Sequence, residues 1–212
     1  LIFKDYGGQM MDIAFNDPSF TQDHYLSVTG GNDKATFLTS FGYYNEQGQV
    51  VGTSYERFTG NVNGSYKVRD NIKINAGATY SFSKKPGLWI SEAQLFYRSM
   101  SLWPTLNPLD EDGNPASGLG AADGNPLYWK DKLQRINNVR RTTFNIGGNW
   151  EIIPGLALNE NSSIYYIDNE QEDFDKQYQT QNSTVPNNTR NARAMYERQF
   201  QQQHSATLTY NK

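Results

Sequence analysis

The chain has 212 residues, no cysteine and a formal net charge of −3. These values exclude disulfides and thiolate metal sites, and the lack of a broad basic field argues against a nucleic-acid partner. No apolar run approaches the roughly 20 residues of a membrane-spanning helix. Aromatic residues nevertheless reach 14%, too many for a disordered chain. The composition favours strands with one apolar and one polar face, in either a soluble sandwich or a barrel with a wet lumen.

Seven segments along the chain have the two-residue periodicity of β-strands. Turn residues separate several of them, for example at Gly30–Asp33 and at Pro154–Gly155. In chain order the predicted strands are His24–Thr29, Lys34–Tyr44, Tyr55–Tyr66, Ile72–Ser83, Arg141–Glu151, Leu156–Asp168 and a last strand from about Ala194 to Asn211. The predicted fold is therefore all-β and antiparallel.

The segment Ile72–Ser83 alternates most strictly. Its even positions are isoleucine, alanine, tyrosine or phenylalanine, and its odd positions are lysine, asparagine, glycine, threonine or serine. Its 12 residues, at about 3.4 Å each and a tilt of about 45°, rise by roughly 28 Å. An outer-membrane barrel has an apolar band of about 25 Å, whereas strands in soluble proteins are usually about half as long. The length favours a transmembrane barrel.

The predicted connections alternate between short and long. Gly30–Asp33, Lys67–Asn71 and Ile152–Gly155 are short, whereas Asn45–Ser54, Lys84–Asn138 and Asn169–Arg193 are long. Membrane barrels have short periplasmic turns and long extracellular loops. We therefore predict that the three long connections lie outside the cell, at the same end of the sheet.

The alternation also predicts which side chains meet lipid and which meet water. We expect an outward apolar face, bounded by aromatic residues near both strand ends. Its predicted members are Ile72, Ile74, Ala78, Phe144, Ile146, Leu158 and Ile164. The predicted lumen-facing residues are Arg57, Asn61, Lys73, Asn75, Asn145 and Asn161.

The long connection 84–138 has four candidate contact residues for a substrate or a lid: Trp89, Trp103, Tyr128 and Trp129. Exposed aromatic rings can stack on sugars or anchor a partner, but they can equally pack a small core within the loop. A short helix is predicted near Glu92–Ser99. The acidic stretch 110–114 has the Asp-x-Asp spacing of a calcium loop without the glycine and glutamate at positions six and twelve. We predict no metal site and no cofactor.

Several motifs in order resemble the SusC/RagA-type TonB-dependent transporters. The stretch His24–Phe37, with its Leu-Ser-Val-Thr-Gly-Gly core, is similar to the early barrel hairpin of that family. Ser40–Tyr44, Tyr55–Phe58 and the segment from Trp103-Pro104 to Asp110–Gly113 also resemble the family. The resemblance is dense over about residues 24–120. From residue 138 onward it consists mainly of a similar spacing of strands. Thr29 departs conservatively from a more common serine.

The resemblance implies a transporter of the outer membrane of a Gram-negative bacterium that takes up glycans or peptides with energy from TonB. It further implies that residues 1–212 are an incomplete part of the barrel domain, with the plug outside this chain. The implied partners are the rest of the barrel and its plug, a SusD-like lipoprotein, TonB (through the absent plug region), outer-membrane lipid and the substrate. No catalytic residue is expected.

Two other classes of protein remain open at this stage. A soluble β-sandwich carbohydrate-binding module would use the loop tryptophans, and would be soluble without detergent. An outer-membrane barrel enzyme would need a reactive group near one of the two histidines, His24 and His204.

Overall fold

The computed structural model describes residues 4–118 and 124–211, and its strands form a single seven-stranded sheet. Neighbouring strands in the sheet are also neighbours in sequence, and every pair is antiparallel. The strands are β1 (Thr21–Gly31), β2 (Ala35–Gln47), β3 (Ser54–Arg69), β4 (Ile72–Pro86), β5 (Leu133–Ile153), β6 (Leu156–Asp175) and β7 (Ala192–Tyr210). The predicted number, order and direction of strands are confirmed. The described strands do not form a two-sheet sandwich.

The three short connections are tight turns at one end of the sheet. In the β1–β2 turn, Asn32 Oδ1 accepts hydrogen bonds from the backbone N–H groups of Lys34 and Ala35, both at 2.9 Å. In the β5–β6 turn, Gly155 has φ 85°, a conformation that side chains with a Cβ rarely adopt. These local features help to fix the register of the β1–β2 and β5–β6 hairpins.

The strands extend further toward the long connections than the periodicity predicts. β5 begins at Leu133, eight residues before the predicted Arg141, and β6 continues to Asp175 rather than ending at Asp168. The added segments carry charges on both faces, so they lack an alternating apolar pattern. Ion pairs and backbone hydrogen bonds hold them together instead. The long loops are consequently shorter than predicted, at 48–53, 87–132 and 176–191.

The described part of the chain has its buried apolar core outside the sheet. Helices α1 (Gln9–Ala14) and α2 (Glu92–Ser101) and a short 3₁₀ helix (Pro126–Trp129) pack together at the loop end. Their shared core consists of Met10, Ala14, Trp89, Leu95, Leu127 and Trp129. The predicted helix near Glu92–Ser99 is confirmed, whereas α1 was not predicted. Among the described helices, none is both long and apolar enough to cross a membrane.

Candidate functional site

One face of the sheet carries most of the apolar side chains of β1 to β7. Residues paired across antiparallel strands share a face, so the row Val62–Ala78–Phe144–Ile164 lies on one side of β3 to β6. The large side chains of this face are exposed; Val62, Phe144 and Ile146, for example, are 54–59% exposed. All seven residues predicted to meet lipid lie on this face: Ile72, Ile74, Ala78, Phe144, Ile146, Leu158 and Ile164. An uncovered apolar surface of this extent marks a contact with lipid or protein.

Aromatic side chains bound this apolar face at both ends. Near the long loops, the Tyr43 ring centroid lies 4.8 Å from that of Phe58, and the centroids of Tyr166 and Phe200 are 5.4 Å apart. Near the short turns, the same face carries Tyr66, Trp150 and Tyr210. Two bands of amphipathic rings separated by aliphatic residues are the pattern of a barrel wall at its two lipid–water interfaces.

The opposite face is polar and carries a network of amides. Asn63 Nδ2 donates to Asn61 Oδ1 at 2.8 Å, and Thr79 Oγ1 donates to the same oxygen at 3.3 Å. On the next strands, Asn75 is paired with Gly147, and Asn145 with Gly77. All six residues predicted to line a lumen lie on this face: Arg57, Asn61, Lys73, Asn75, Asn145 and Asn161. A hydrogen-bonding, uncharged centre of this kind suits contact with water or polar ligands.

Two glycines leave room for the amides of the polar face. A Cβ placed on Gly77 would lie 2.7 Å from Asn145 Oδ1, and it would also collide with Asn63. A Cβ placed on Gly147 would lie 3.0 Å from the amide of Asn75. The asparagine side chains therefore lie across the glycine backbone, and this flattens the polar surface at its centre.

Ion pairs hold β5, β6 and β7 together beyond the aromatic band on the loop side. Arg135 Nη1 lies 2.9 Å from Asp175 Oδ1, and its Nε lies 3.7 Å from Asp173 Oδ1. On the other face, Arg140 pairs with Glu170 at 3.0 Å. The sequence alone did not reveal these ion pairs, because the acidic partners lie on the next strand, 40 and 30 positions away.

The four aromatic residues proposed as loop contacts have different environments. Trp89 and Trp129 are 8% and 7% exposed and belong to the loop core, so this burial leaves little of either ring available to a ligand. Trp89 Nε1 donates to the Pro126 carbonyl at 2.8 Å. The Tyr128 hydroxyl donates to the Gln179 carbonyl at 2.7 Å and thereby ties the β4–β5 loop to the β6–β7 loop. Trp103 is 76% exposed and is the one of the four most open to a partner.

A buried asparagine that sequence reasoning missed organises the same loop. Asn125 is 1% exposed, its Nδ2 donates to the Pro108 carbonyl at 2.7 Å, and its Oδ1 accepts from the Leu127 N–H at 2.9 Å. The sequence signal was an asparagine directly before a proline, which is the pattern of a helix cap followed by the first helical residue.

The acidic stretch 110–114 is a turn closed by its own backbone. Asp110 Oδ1 accepts from the N–H groups of Asp112 at 3.0 Å and Asn114 at 2.8 Å. Within residues 4–118 and 124–211, no cluster of three potential metal ligands is found.

At the opposite end of the sheet, the hydrogen bond from Lys67 lowers the pKa of Asp70, and the two side chains are 2.9 Å apart. The acidic stretch 110–114 and the Lys67–Asp70 ion pair are therefore both parts of local turns.

One contact on the apolar face brings a hydroxyl and an imidazole together. Ser162 Oγ lies 2.8 Å from His204 Nδ1, and Ser162 also donates to the Glu160 carboxylate. Among the described hydrogen bonds, none orients the imidazole through Nε2, as the acid of a catalytic triad would. Among the described contacts, the imidazole of His204 therefore lacks the second orienting group that the alternative of a catalytic histidine would need. His24 contacts Gln22 and the Tyr43 ring, in a structural setting.

The strand order, the sorted faces and the two aromatic bands define a segment of the wall of an outer-membrane type β-barrel. Its fold is that of the barrel of a RagA-type transporter. Two solved structures, of the RagAB peptide transporter and of the RagAB peptide importer in its closed-closed state, superpose on this chain with TM-scores of 0.80 and 0.75. Sequence identity is 16% in both, and the chain is covered to 99% and 97%.

The comparison of sequences identifies a relative of the same kind. The chain is 23% identical over 199 residues to a TonB-dependent receptor, P39, of Formosa agariphila, and the match covers 88% of this chain. No family model matches. The chain spans 17% of the length of that receptor and 24% of the RagAB chains. The predicted resemblance to TonB-dependent outer-membrane transporters is confirmed, and these relatives are receptors and transporters rather than enzymes.

Proposed function

We propose that this chain is part of the barrel wall of a TonB-dependent importer of the SusC/RagA type, which carries glycans or peptides across the outer membrane. The observation that supports the proposal most strongly is the separation of the two faces over strands of up to 21 residues. A wall between hydrocarbon and a polar lumen requires that separation at every strand, whereas a soluble single sheet would need a covering layer.

In this proposal the polar face lines the lumen and performs no covalent chemistry. Arg57, Asn61 and Asn75 would contact water, the plug or the cargo as it passes. The guanidinium of Arg57 lies 5.6 Å from the Tyr44 ring centroid, and in this proposal it would supply a cation near the loop end of the lumen. The plug and the remaining strands belong to the larger part of the protein, as the coverage of 17% and 24% supports.

The loops at the far end of the strands are proposed to lie outside the cell. There they would face a SusD-like lipoprotein that closes over the barrel. Trp103 and Tyr128 are the proposed contact residues for lid or cargo, whereas Trp89 and Trp129 hold the loop core in place. The loop end is firmly packed, since Tyr128 links two loops and the ring centroids of Trp129 and Tyr178 are 4.6 Å apart. This packing supports a role that needs a defined surface.

Labelling of single cysteines tests the orientation of the faces. Asn61 and Val62 are consecutive residues of β3 that lie on opposite faces. In the complete receptor, a water-soluble maleimide should react with Asn61→Cys and leave Val62→Cys unmodified in the membrane. Equal labelling of both positions would contradict the proposed lumen face.

Uptake by cells separates the two cargo classes. Cells with the complete receptor and its lipoprotein should accumulate either labelled oligopeptides or labelled oligosaccharides, and loss of TonB should abolish that accumulation. His204→Ala should leave uptake unchanged. Accumulation that persists without TonB would refute active import, and hydrolysis of a cargo or lipid that is lost in His204→Ala would favour the enzyme.

A further inference from the structure

A cleft at the loop end of the sheet lies between the β4–β5 loop and the β6–β7 loop, and its volume is about 400 Å³. The β4–β5 loop contributes Ile90, Arg98 and Trp129 to its lining, and the β6–β7 loop contributes Tyr178 and Thr189. The loop ends of β5 and β6 complete the lining. The volume is within the range of sites that bind small molecules or the ends of longer chains.

The cleft has apolar surface beside its polar groups. Ile90 and Leu133 supply aliphatic surface, and Tyr178 supplies a half-buried ring. Trp129 packs edge-on against that ring, with the ring centroids 4.6 Å apart. The Asn187 amide donates to the Tyr178 hydroxyl at 2.6 Å and holds the other end of the ring. Such a combination of apolar surface and a few fixed polar groups is typical of sites for organic ligands.

The carboxylate of the cleft is already committed to other partners. Asp175 Oδ1 lies 2.9 Å from Arg135 Nη1, and Asp175 Oδ2 accepts from the Asn191 amide at 3.2 Å. The side-chain oxygen of Asn187 is also in use, because it accepts from the Thr189 N–H at 2.9 Å. The Asp175 carboxylate therefore has a cation of its own and is not the partner of the second arginine in the cleft.

That second arginine, Arg98, has no counter-charge in the part of the chain that the structure describes. It lies in the last turn of α2 and is half-buried, so its guanidinium has lost part of its hydration. The Tyr178 hydroxyl accepts from Asn187, which leaves its own proton free to donate. A guanidinium with open N–H groups is suited to a carboxylate, which it binds through two parallel hydrogen bonds.

We propose that this cleft binds a carboxylate-bearing end of the cargo, with the carboxylate on Arg98 and the apolar part of the ligand beside Tyr178. The inference rests on the proposed function, which brings cargo to the loop end of the barrel, and adds a requirement for charge. A carboxylate satisfies the guanidinium, and the Tyr178 hydroxyl supplies a further donor in the same cleft. A neutral chain end would leave Arg98 without a partner. The C-terminus of a peptide and a uronic acid of a glycan both carry the required group.

Binding to the complete, purified receptor tests the proposal with two pairs of fluorescent probes. One pair is an oligopeptide with a free C-terminus and the same peptide as its C-terminal amide. The other pair is an oligosaccharide that ends in a uronic acid and its neutral methyl ester. In one pair the carboxylate probe should bind about tenfold more tightly than its neutral counterpart, or better, and that pair identifies the source. The absence of such a preference in both pairs, with or without binding, would overturn the proposal.

Two arginine variants show whether the preference depends on the cleft. Arg98→Gln should abolish it, and Arg98→Lys should show an intermediate preference, because lysine keeps the charge without the planar pair of donors. Arg190→Gln is the matched control, since Arg190 is exposed in the β6–β7 loop, contacts Gln177 and does not line the cleft. It should retain the full preference. A full preference in Arg98→Gln, or an equal loss in both glutamine variants, would overturn the site.

Uptake by cells separates a failure of this inference from a failure of the proposed function. The expected result is TonB-dependent uptake of the preferred carboxylate cargo that falls in Arg98→Gln and persists in Arg190→Gln. TonB-dependent uptake that is equal in all three receptors would overturn the cleft and leave the importer intact. Uptake that does not require TonB would contradict the proposed function, and the inference would fail with it.

Discussion

Gly77 and Asn145 face each other across β4 and β5, and a Cβ on Gly77 would approach Asn145 Oδ1 to 2.7 Å. The amide thus occupies the space that a side chain at position 77 would need. Asn63 approaches the same space from the other side. The polar face is therefore tightly fitted at its centre, even though it borders no second layer of the described structure.

Gly77→Ala should destabilise the barrel by about 1–3 kcal/mol, the usual cost of forcing extra volume into a packed site. Gly60 is a matched control, because a Cβ there has no neighbour within 4 Å and position 60 lies on the apolar face. Gly60→Ala should be neutral or slightly stabilising. Urea unfolding of the complete, refolded receptor compares the two. Equal effects would mean that Asn63 and Asn145 do not hold these positions.

The loop core predicts different effects for two tryptophans. Trp129→Ala removes a ring that is 7% exposed and packs on Tyr178, so it should cost the loop region about 3–5 kcal/mol. Trp103→Ala removes a ring that is 76% exposed and should leave the loop fold intact. Limited proteolysis of the β4–β5 loop in intact cells should therefore accelerate only for Trp129→Ala.

The same pair of variants tests the proposed contact role of Trp103. Trp103→Ala should lower cargo uptake or lipoprotein binding without any change in proteolysis. If Trp103→Ala leaves both uptake and lipoprotein binding at the level of the unmodified receptor, this residue is not a contact.

The ion pairs beyond the aromatic band on the loop side should differ in how much they stabilise the folded protein. The side chains of Arg135, Asp173 and Asp175 are 18–24% exposed, whereas Arg198 is 60% exposed where it meets Asp168. Arg135→Ala should cost about 1–2 kcal/mol, between the values for exposed and buried pairs, and Arg198→Ala should have a much smaller effect. Urea is the suitable denaturant, since guanidinium would screen both pairs. A larger loss for Arg198→Ala would contradict the assignment.

The sequence predicted the part of the fold that depends on alternation. Over Ile72–Ser83 of β4 every even position is apolar or aromatic, so the two faces of this strand could be assigned without the structure. The first eight residues of β5 carry Arg135 and Asn137 on one face and Asn138 and Arg140 on the other, and only their partners on β6 explain why they are extended. A single-strand pattern contains no information about such cross-strand partners.

The structures that sequence reasoning missed depend on contacts between distant segments. Helix α1 has six residues and no side-chain cap, and it is stabilised by Met10 and Ala14 in a core with Leu95 and Trp129. Trp89 and Trp129 could not be distinguished from Trp103 as ligand contacts, because burial is a property of the folded loop. The contact between Ser162 and His204 was not predicted, because the two residues are 42 positions apart in the sequence.

The most direct test of the central claim uses Ile74 and Asn75, consecutive residues of β4, the middle strand of the sheet. Ile74 is paired with Tyr66 and Gly148 on the apolar face, and Asn75 with Ser65 and Gly147 on the polar face. The depth of the two positions is nearly the same, so only the solvent that each meets differs.

An arginine should therefore be tolerated at one position and not at the other. Ile74→Arg should cost about 1–3 kcal/mol in lipid, because the charge faces the apolar band near its turn-side edge, while Asn75→Arg should cost much less in a wet lumen. The measurement is reversible denaturant unfolding of the complete barrel refolded in bilayers. A clear excess loss for Ile74→Arg is the expected result, and an equal or larger loss for Asn75→Arg would contradict the barrel wall.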